Sequence, residues 1–137
     1  MTGLMVCVTV LVLASAYGVL HRRRNGRVRV RGRDEGKRLG VAELGQGLGE
    51  RATLVQFSSA FCAPCRATRR VLTEVARMVP GVAHVEIDAE ERLELVRELE
   101  ILKTPTVFVL DADGRIVRRA TGQPRKADVI AALGETV

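Results

Sequence analysis

The sequence has no tryptophan, one tyrosine and three phenylalanines in 137 residues, with only three cysteines and two histidines. Three cysteines, two of them three positions apart, are too few to staple a small domain, which excludes a disulfide-framework mini-protein. A zinc site built on Cys62 and Cys65 needs two more ligands, and only Cys7, His21 and His84 remain. Cys7 lies in an apolar run, His21 precedes a basic stretch and there is no second Cys-x-x-Cys, so neither a metal nor a cofactor is expected. Also missing are a glycine-rich phosphate loop, a Ser/His/Asp set and an HExxH pair. With them go the signatures of phosphoryl transfer, serine hydrolysis and zinc hydrolysis.

Charge is distributed just as unevenly. Residues 1–20 carry none, residues 21–38 hold nine Arg/Lys against two acids, and residues 39–137 hold thirteen basic and fourteen acidic side chains. The formal net charge of +6 therefore describes a short belt rather than the body. A near-neutral body does not read as a nucleic-acid binder on charge. The belt contains no aromatic side chain on which bases would stack, so nucleic acid is not the expected partner. Anionic headgroups are the economical partner for residues 22–38, which otherwise read as a loose strand or a tether.

Leu4 to Leu20 is apolar apart from small or weakly polar residues. As a helix this run spans roughly 26 Å, against a hydrocarbon core of about 30 Å. Thr2 and Gly3 extend it, and the side chains of Arg22, Arg23 and Arg24 can snorkel back to the headgroups. A single spanning helix over residues 1–20 is the expected reading, followed by a basic juxtamembrane linker over 21–38. The rival is a cleaved signal peptide, for which Ala14-Ser15-Ala16 offers a small-x-small site. Met1-Thr2-Gly3 has no basic residue, however, and the arginines lie on the far side, opposite to what a signal peptide needs. The positive-inside rule then keeps the belt and the body on the cytoplasmic side of a single-pass protein.

Residues 39–137 form the expected folded domain, long enough for one modest core. A short helical piece lies within Val41–Leu48, broken by Gly45, Gly47 and Gly49. Thr53–Phe57 reads as an interior strand. The spacing of Val71, Leu72, Val75 and Val79 predicts a helix over Ala63–Met78, stopped by Pro80-Gly81. Val82–Ile87 is a strand, Glu91–Leu99 a helix and Thr106–Leu110 a strand. Asp113-Gly114 marks a hairpin into a strand from Ile116 to about Thr121. A last helix starts near Pro124 and packs through Val129, Ile130 and Leu133. Asp88 or Ala89 is expected near the N-cap of the 91–99 helix, with Glu90 and Glu91 in its first turn. Arg118, Arg119, Arg125 and Lys126 read as a solvated basic region. The order β-α-β-α-β-β-α predicts an α/β fold: parallel crossovers, one antiparallel edge and helices on both faces of a mixed sheet.

Cys62-Ala63-Pro64-Cys65 falls where the strand ending near Ser58 gives way to a helix. There, unpaired backbone N–H groups and the helix dipole favour a thiolate on the first sulfur. Pro64 fits because first-turn amides have no intrahelical acceptor. Two intervening residues bring both sulfurs onto one turn, beyond the carboxyl end of a strand. A reversible redox pair is the expected chemistry, with Cys62 the exposed nucleophile and Cys65 the recessed resolving thiol. Thr104-Pro105 stands directly before a central strand. A cis bond at this point would turn an unpaired Thr104 backbone edge toward the cysteines, although trans is the commoner state of such bonds.

The ordered set Phe61-Cys62-Ala63-Pro64-Cys65, Val85-Glu86-Ile87-Asp88, Thr104-Pro105-Thr106, Asp113-Gly114 and Gly122 resembles the thioredoxin family across residues 52–134. The resemblance implies a cis Pro105 and substrate contacts at Phe61, Ala63, Pro64, Thr104, Pro105 and Gly122. It implies disulfide-containing protein substrates and an external thiol or reductase as electron donor. The chain departs from the family pattern at Phe61, where Trp is usual, and at Ala63, where Gly is usual. It departs again at Gln56, in place of a buried Asp, and at His84, in place of a Lys. Gln56 and His84 are candidates for assisting proton transfer; the alternative is a satisfied buried amide and an outward-facing histidine. The expected function is that of a thiol–disulfide oxidoreductase. Its alternatives are an exported member serving cell-envelope or cytochrome thiols, and a redox-inactive binding module.

Overall fold

The computed structural model of the protein describes residues 1–24, 28–29 and 36–136. Helix α1 (Thr2–Arg24) contains the apolar run, and every side chain from Met1 to Arg23 is exposed. By length and composition it is able to cross a membrane, a test that a signal sequence near the N-terminus also passes. Half of the basic belt lies outside the described residues; within it, β1 (Val28–Arg29) forms a short strand.

The body runs α2 (Val41–Leu44), β2 (Ala52–Ser58), α3 (Ala63–Met78), β3 (Val82–Asp88), α4 (Leu93–Glu98), β4 (Thr106–Asp111), β5 (Ile116–Thr121) and α5 (Lys126–Thr136). The strands form one mixed sheet in the order β1-β5-β4-β2-β3. All seven residues of β2 are buried, as an interior strand covered on both faces requires.

Side chains alternate across each strand, so one sheet feeds two cores. Val55, Phe57, Val85, Ile87, Phe108 and Leu110 face Leu95 of α4 and Leu99 at its C-terminal end. Leu54, Val107 and Val109 face Leu72 and Val75 of α3 and Val129 and Leu133 of α5. Each fully buried aliphatic or aromatic side chain in these layers contributes roughly 1.5–3 kcal/mol. Phe57 and Phe108 meet edge to face with centroids 5.7 Å apart.

Three expectations are corrected. The second crossover is not parallel: β2 pairs in parallel only with β3, whereas β2–β4, β4–β5 and β1–β5 are antiparallel. Six helical residues in α4 span roughly 9 Å, too short to carry the chain back along a seven-residue strand of roughly 23 Å. The chain therefore re-enters the sheet at the end it left. Secondly, α4 begins at Leu93 behind Arg92, and Asp88 Oδ1 instead accepts the N–H of Glu90 at 2.9 Å in a local turn. Thirdly, Ile130 points outward, and Ala132 takes its place in the core beside Val129 and Leu133.

Candidate active site

The short re-entry places three segments distant in sequence at one end of the sheet. The first is the end of β2 and the start of α3. Cys62 is the N-cap of α3 in extended conformation, and its Sγ accepts the N–H of Cys65 at 3.1 Å. Pro64 occupies the first turn, where its missing N–H is no loss. The two sulfurs are joined in a disulfide, S–S 2.08 Å, with Cα atoms 5.2 Å apart. Cys62 is partly exposed, whereas Cys65 is 1% exposed beneath it. Phe61, Ala63 and Pro64 are exposed around the pair, Phe61 completely.

The second segment precedes β4. The Thr104–Pro105 peptide is cis. Thr104 Oγ1 and Ser59 Oγ share a hydrogen bond of 3.0 Å, which ties this loop to the residues just before the cysteines. Thr106 Oγ1 donates to Lys103 O at 2.6 Å and steadies the same loop from the strand side. The third segment follows β5: the N–H of Gly122 donates to Pro105 O at 2.8 Å. Gly122 has φ of 89°, a left-handed conformation that suits a residue without Cβ. A cleft of about 290 Å³ opens beside Thr104, with Ser59, Leu93, Val96, Ile101 and Leu102 among its walls.

Beneath Cys65 lies a hydrogen-bonded line that crosses from β2 to β3. Gln56 is wholly buried, and its Nε2 donates to Cys65 O at 2.8 Å and to Ser58 Oγ at 2.9 Å. Because a backbone carbonyl only accepts, this bond sets the orientation of the amide. Gln56 Oε1 then faces His84 Nε2 at 3.2 Å, so Nε2 carries the proton and Nδ1 is left to accept from Thr73 Oγ1 at 3.4 Å. His84 is thus half-buried and turned toward Gln56, not outward. Burial pushes its pKa below the usual histidine value; Glu86 opposes the shift and Arg69 adds to it. Glu86 and Arg69 are themselves joined in a two-pronged ion pair with both contacts at 2.6 Å.

Every site residue singled out in the sequence lies at this end of the sheet or in the line below it. Three contributors carry no sequence signal. Ser59 looks like any loop serine, and Leu102, 94% exposed, looks like a stray apolar residue. Arg119 read as solvated, yet it is 5% exposed and lies over the Phe108 ring, 5.0 Å from its centroid. Of its basic neighbours, Arg118 pairs with Glu135, and Lys126 with Glu74 at 2.6 Å.

Known proteins resemble this chain in sequence and in fold. Residues 42–135 match the family model for thioredoxin. Mitochondrial thioredoxin-3 of Saccharomyces cerevisiae is 30% identical over 69 residues, which cover 50% of this chain and 54% of that protein. The match therefore spans little more than half of that relative's length. Thioredoxin of Mycobacterium tuberculosis is 29% identical over 85 residues, covering 61% of this chain and 72% of the relative. The crystal structure of the yeast protein in its oxidised form superposes with a TM-score of 0.55 at 21% identity, over 63% of this chain and 79% of the other. Chloroplastic thioredoxin z gives a TM-score of 0.57 at 28% identity, covering 64% and 79% of the two chains. With its mixed sheet, its helix-capping cysteine pair and the matched residues 42–135, the chain belongs to the thioredoxin family.

Proposed function

We propose that the chain is a thiol–disulfide oxidoreductase acting through Cys62 and Cys65. One observation carries the reading: Cys62 Sγ caps a sixteen-residue helix and accepts the Cys65 N–H, while Cys65 is buried directly beneath. Such a setting favours negative charge on the outer sulfur of the reduced pair and keeps the inner one within reach.

In the reducing direction, the Cys62 thiolate attacks one sulfur of a client disulfide. A mixed disulfide forms and the other client sulfur leaves as a thiolate. Cys65, once deprotonated, attacks the Cys62 sulfur; the second client thiolate leaves and the Cys62–Cys65 bond forms. Two electrons pass to the client, and an external dithiol or reductase must return them. Run backwards, the same steps oxidise a client dithiol.

Phe61, Ala63 and Pro64 form the exposed rim around the attacking sulfur, and Thr104, Pro105 and Gly122 supply the backbone edge along which an extended client segment lies. Gln56 and His84 assist the proton leaving Cys65 through water: the amide, bonded to Cys65 O, holds the geometry, and His84 is the titrating member. The partly exposed position of His84 and its bond to Gln56 support that role.

The chain divides into a membrane anchor over residues 1–20, a basic linker over 21–38 that meets anionic headgroups, and a thioredoxin-like domain over 39–137. The domain faces the cytoplasm. The uncharged run over residues 1–20 followed by Arg22, Arg23 and Arg24 supports this orientation. The test of the activity is insulin reduction with dithiothreitol as donor. The wild-type chain accelerates precipitation and Cys62→Ser does not; equal rates for the two would remove the catalytic reading.

A further inference from the structure

The connection from α4 to β4 supplies both Thr104 and one wall of the cleft, yet its first residues adopt a conformation that their sequence does not favour. α4 ends in a Schellman-type turn: Glu100 N–H donates to Arg97 O at 3.1 Å and Ile101 N–H to Val96 O at 2.9 Å. That turn needs a left-handed residue, ordinarily glycine, and Glu100 occupies it with φ of 52°. Among the described residues it is the only one other than glycine with positive φ. Something outside the helix must hold it there.

Arg119 does so. From β5 it reaches across Phe108 and donates through Nη1 to Leu99 O at 2.7 Å and through Nη2 to Glu100 O at 2.8 Å. A planar, permanently charged fork meets two consecutive carbonyls at the negative end of a helix. Arg119 as a whole is 5% exposed, so water has little access to these bonds. Ile101, Leu102, Lys103 and Thr104 follow directly and line the cleft.

We propose that Arg119 is a positioning residue for client binding: it fixes the Leu99–Thr104 connection, and with it the cleft wall and the backbone edge at Thr104, without touching the cysteines. The inference rests on the oxidoreductase reading and deepens it. A protein disulfide needs both the edge and Cys62, whereas a small soluble disulfide needs only the sulfur. Loss of Arg119 therefore separates the two substrates.

The experiment uses the full chain in detergent micelles, reduced beforehand, and compares wild type, Arg119→Met and Arg119→Lys. Second-order rate constants are measured with insulin and with 5,5′-dithiobis(2-nitrobenzoate). Arg119→Met should lose about tenfold or more with insulin, the scale of a displacement approaching 1 Å. The same variant should stay within about twofold of wild type on the small aromatic disulfide, whose reaction needs only Cys62. Arg119→Lys, which keeps the charge but not the fork, should fall between. If Arg119→Met does not fold, Arg119→Lys is read alone by the same contrast. Parallel losses on both substrates, or no loss on insulin, overturn the inference. A wild-type chain inactive on both disulfides removes the oxidoreductase reading instead.

Discussion

Gln56→Met tests whether the polar line beneath Cys65 holds the domain together. The two side chains are similar in length and volume, so the change leaves no appreciable cavity and isolates the amide. Three hydrogen bonds disappear: to Cys65 O, to Ser58 Oγ and from His84 Nε2. At about 1 kcal/mol of net value each, the loss is about 3 kcal/mol, with groups left unpaired at the wholly buried position pushing it higher. For a domain near 100 residues that corresponds to a fall in Tm of about 12–24 °C. Thermal unfolding followed by far-ultraviolet circular dichroism measures it, and helix α1 in micelles supplies a constant background. The chain has no tryptophan, so intrinsic indole fluorescence is no substitute. A shift under about 4 °C, equivalent to less than about 1 kcal/mol, would refute the assignment of this line as a stabilising network.

The His84 histidine gives a pH dependence whose sign is set by its burial. Its folded pKa lies below the usual value, so the unfolded chain binds the extra proton first; stability is complete above about pH 6.5 and declines as pH falls from there toward the folded value. His84→Phe should flatten the Tm difference between pH 7.5 and pH 5.5, and an identical slope in the variant would count against the shift. In the same variant, an unchanged pH profile of insulin reduction would eliminate the assisted proton transfer. For topology, a membrane-impermeant thiol reagent applied to intact cells after reduction should leave Cys62 and Cys65 unlabelled until lysis; immediate labelling would place the domain outside.

Local chemistry made much of this protein legible from the chain. The β-rich runs Thr53–Phe57 and Thr106–Leu110, the helical spacing from Val71 to Val79 and the turn at Asp113-Gly114 each reflect preferences of near neighbours, and the strands and α3 lie where those signals put them. The cysteine pair is legible for the same reason, because capping by Cys62 involves residues only three apart.

What remained belonged to the tertiary structure, because it depends on how distant segments are registered. The ladder between β4 and β5 slips by one residue at Val109/Leu110, so Phe108 faces Arg119 rather than Arg118. That single bulge sends one arginine into the core and leaves its neighbour to pair with Glu135 at the surface, a choice that two adjacent arginines cannot reveal. The antiparallel entry of β4 depends likewise on how short α4 proves to be, and the inward turn of His84 depends on the parallel register that sets β3 beside β2. Sequence patterns specify which elements form and which faces are apolar. The partners of a buried polar side chain follow only once the whole sheet has been assembled.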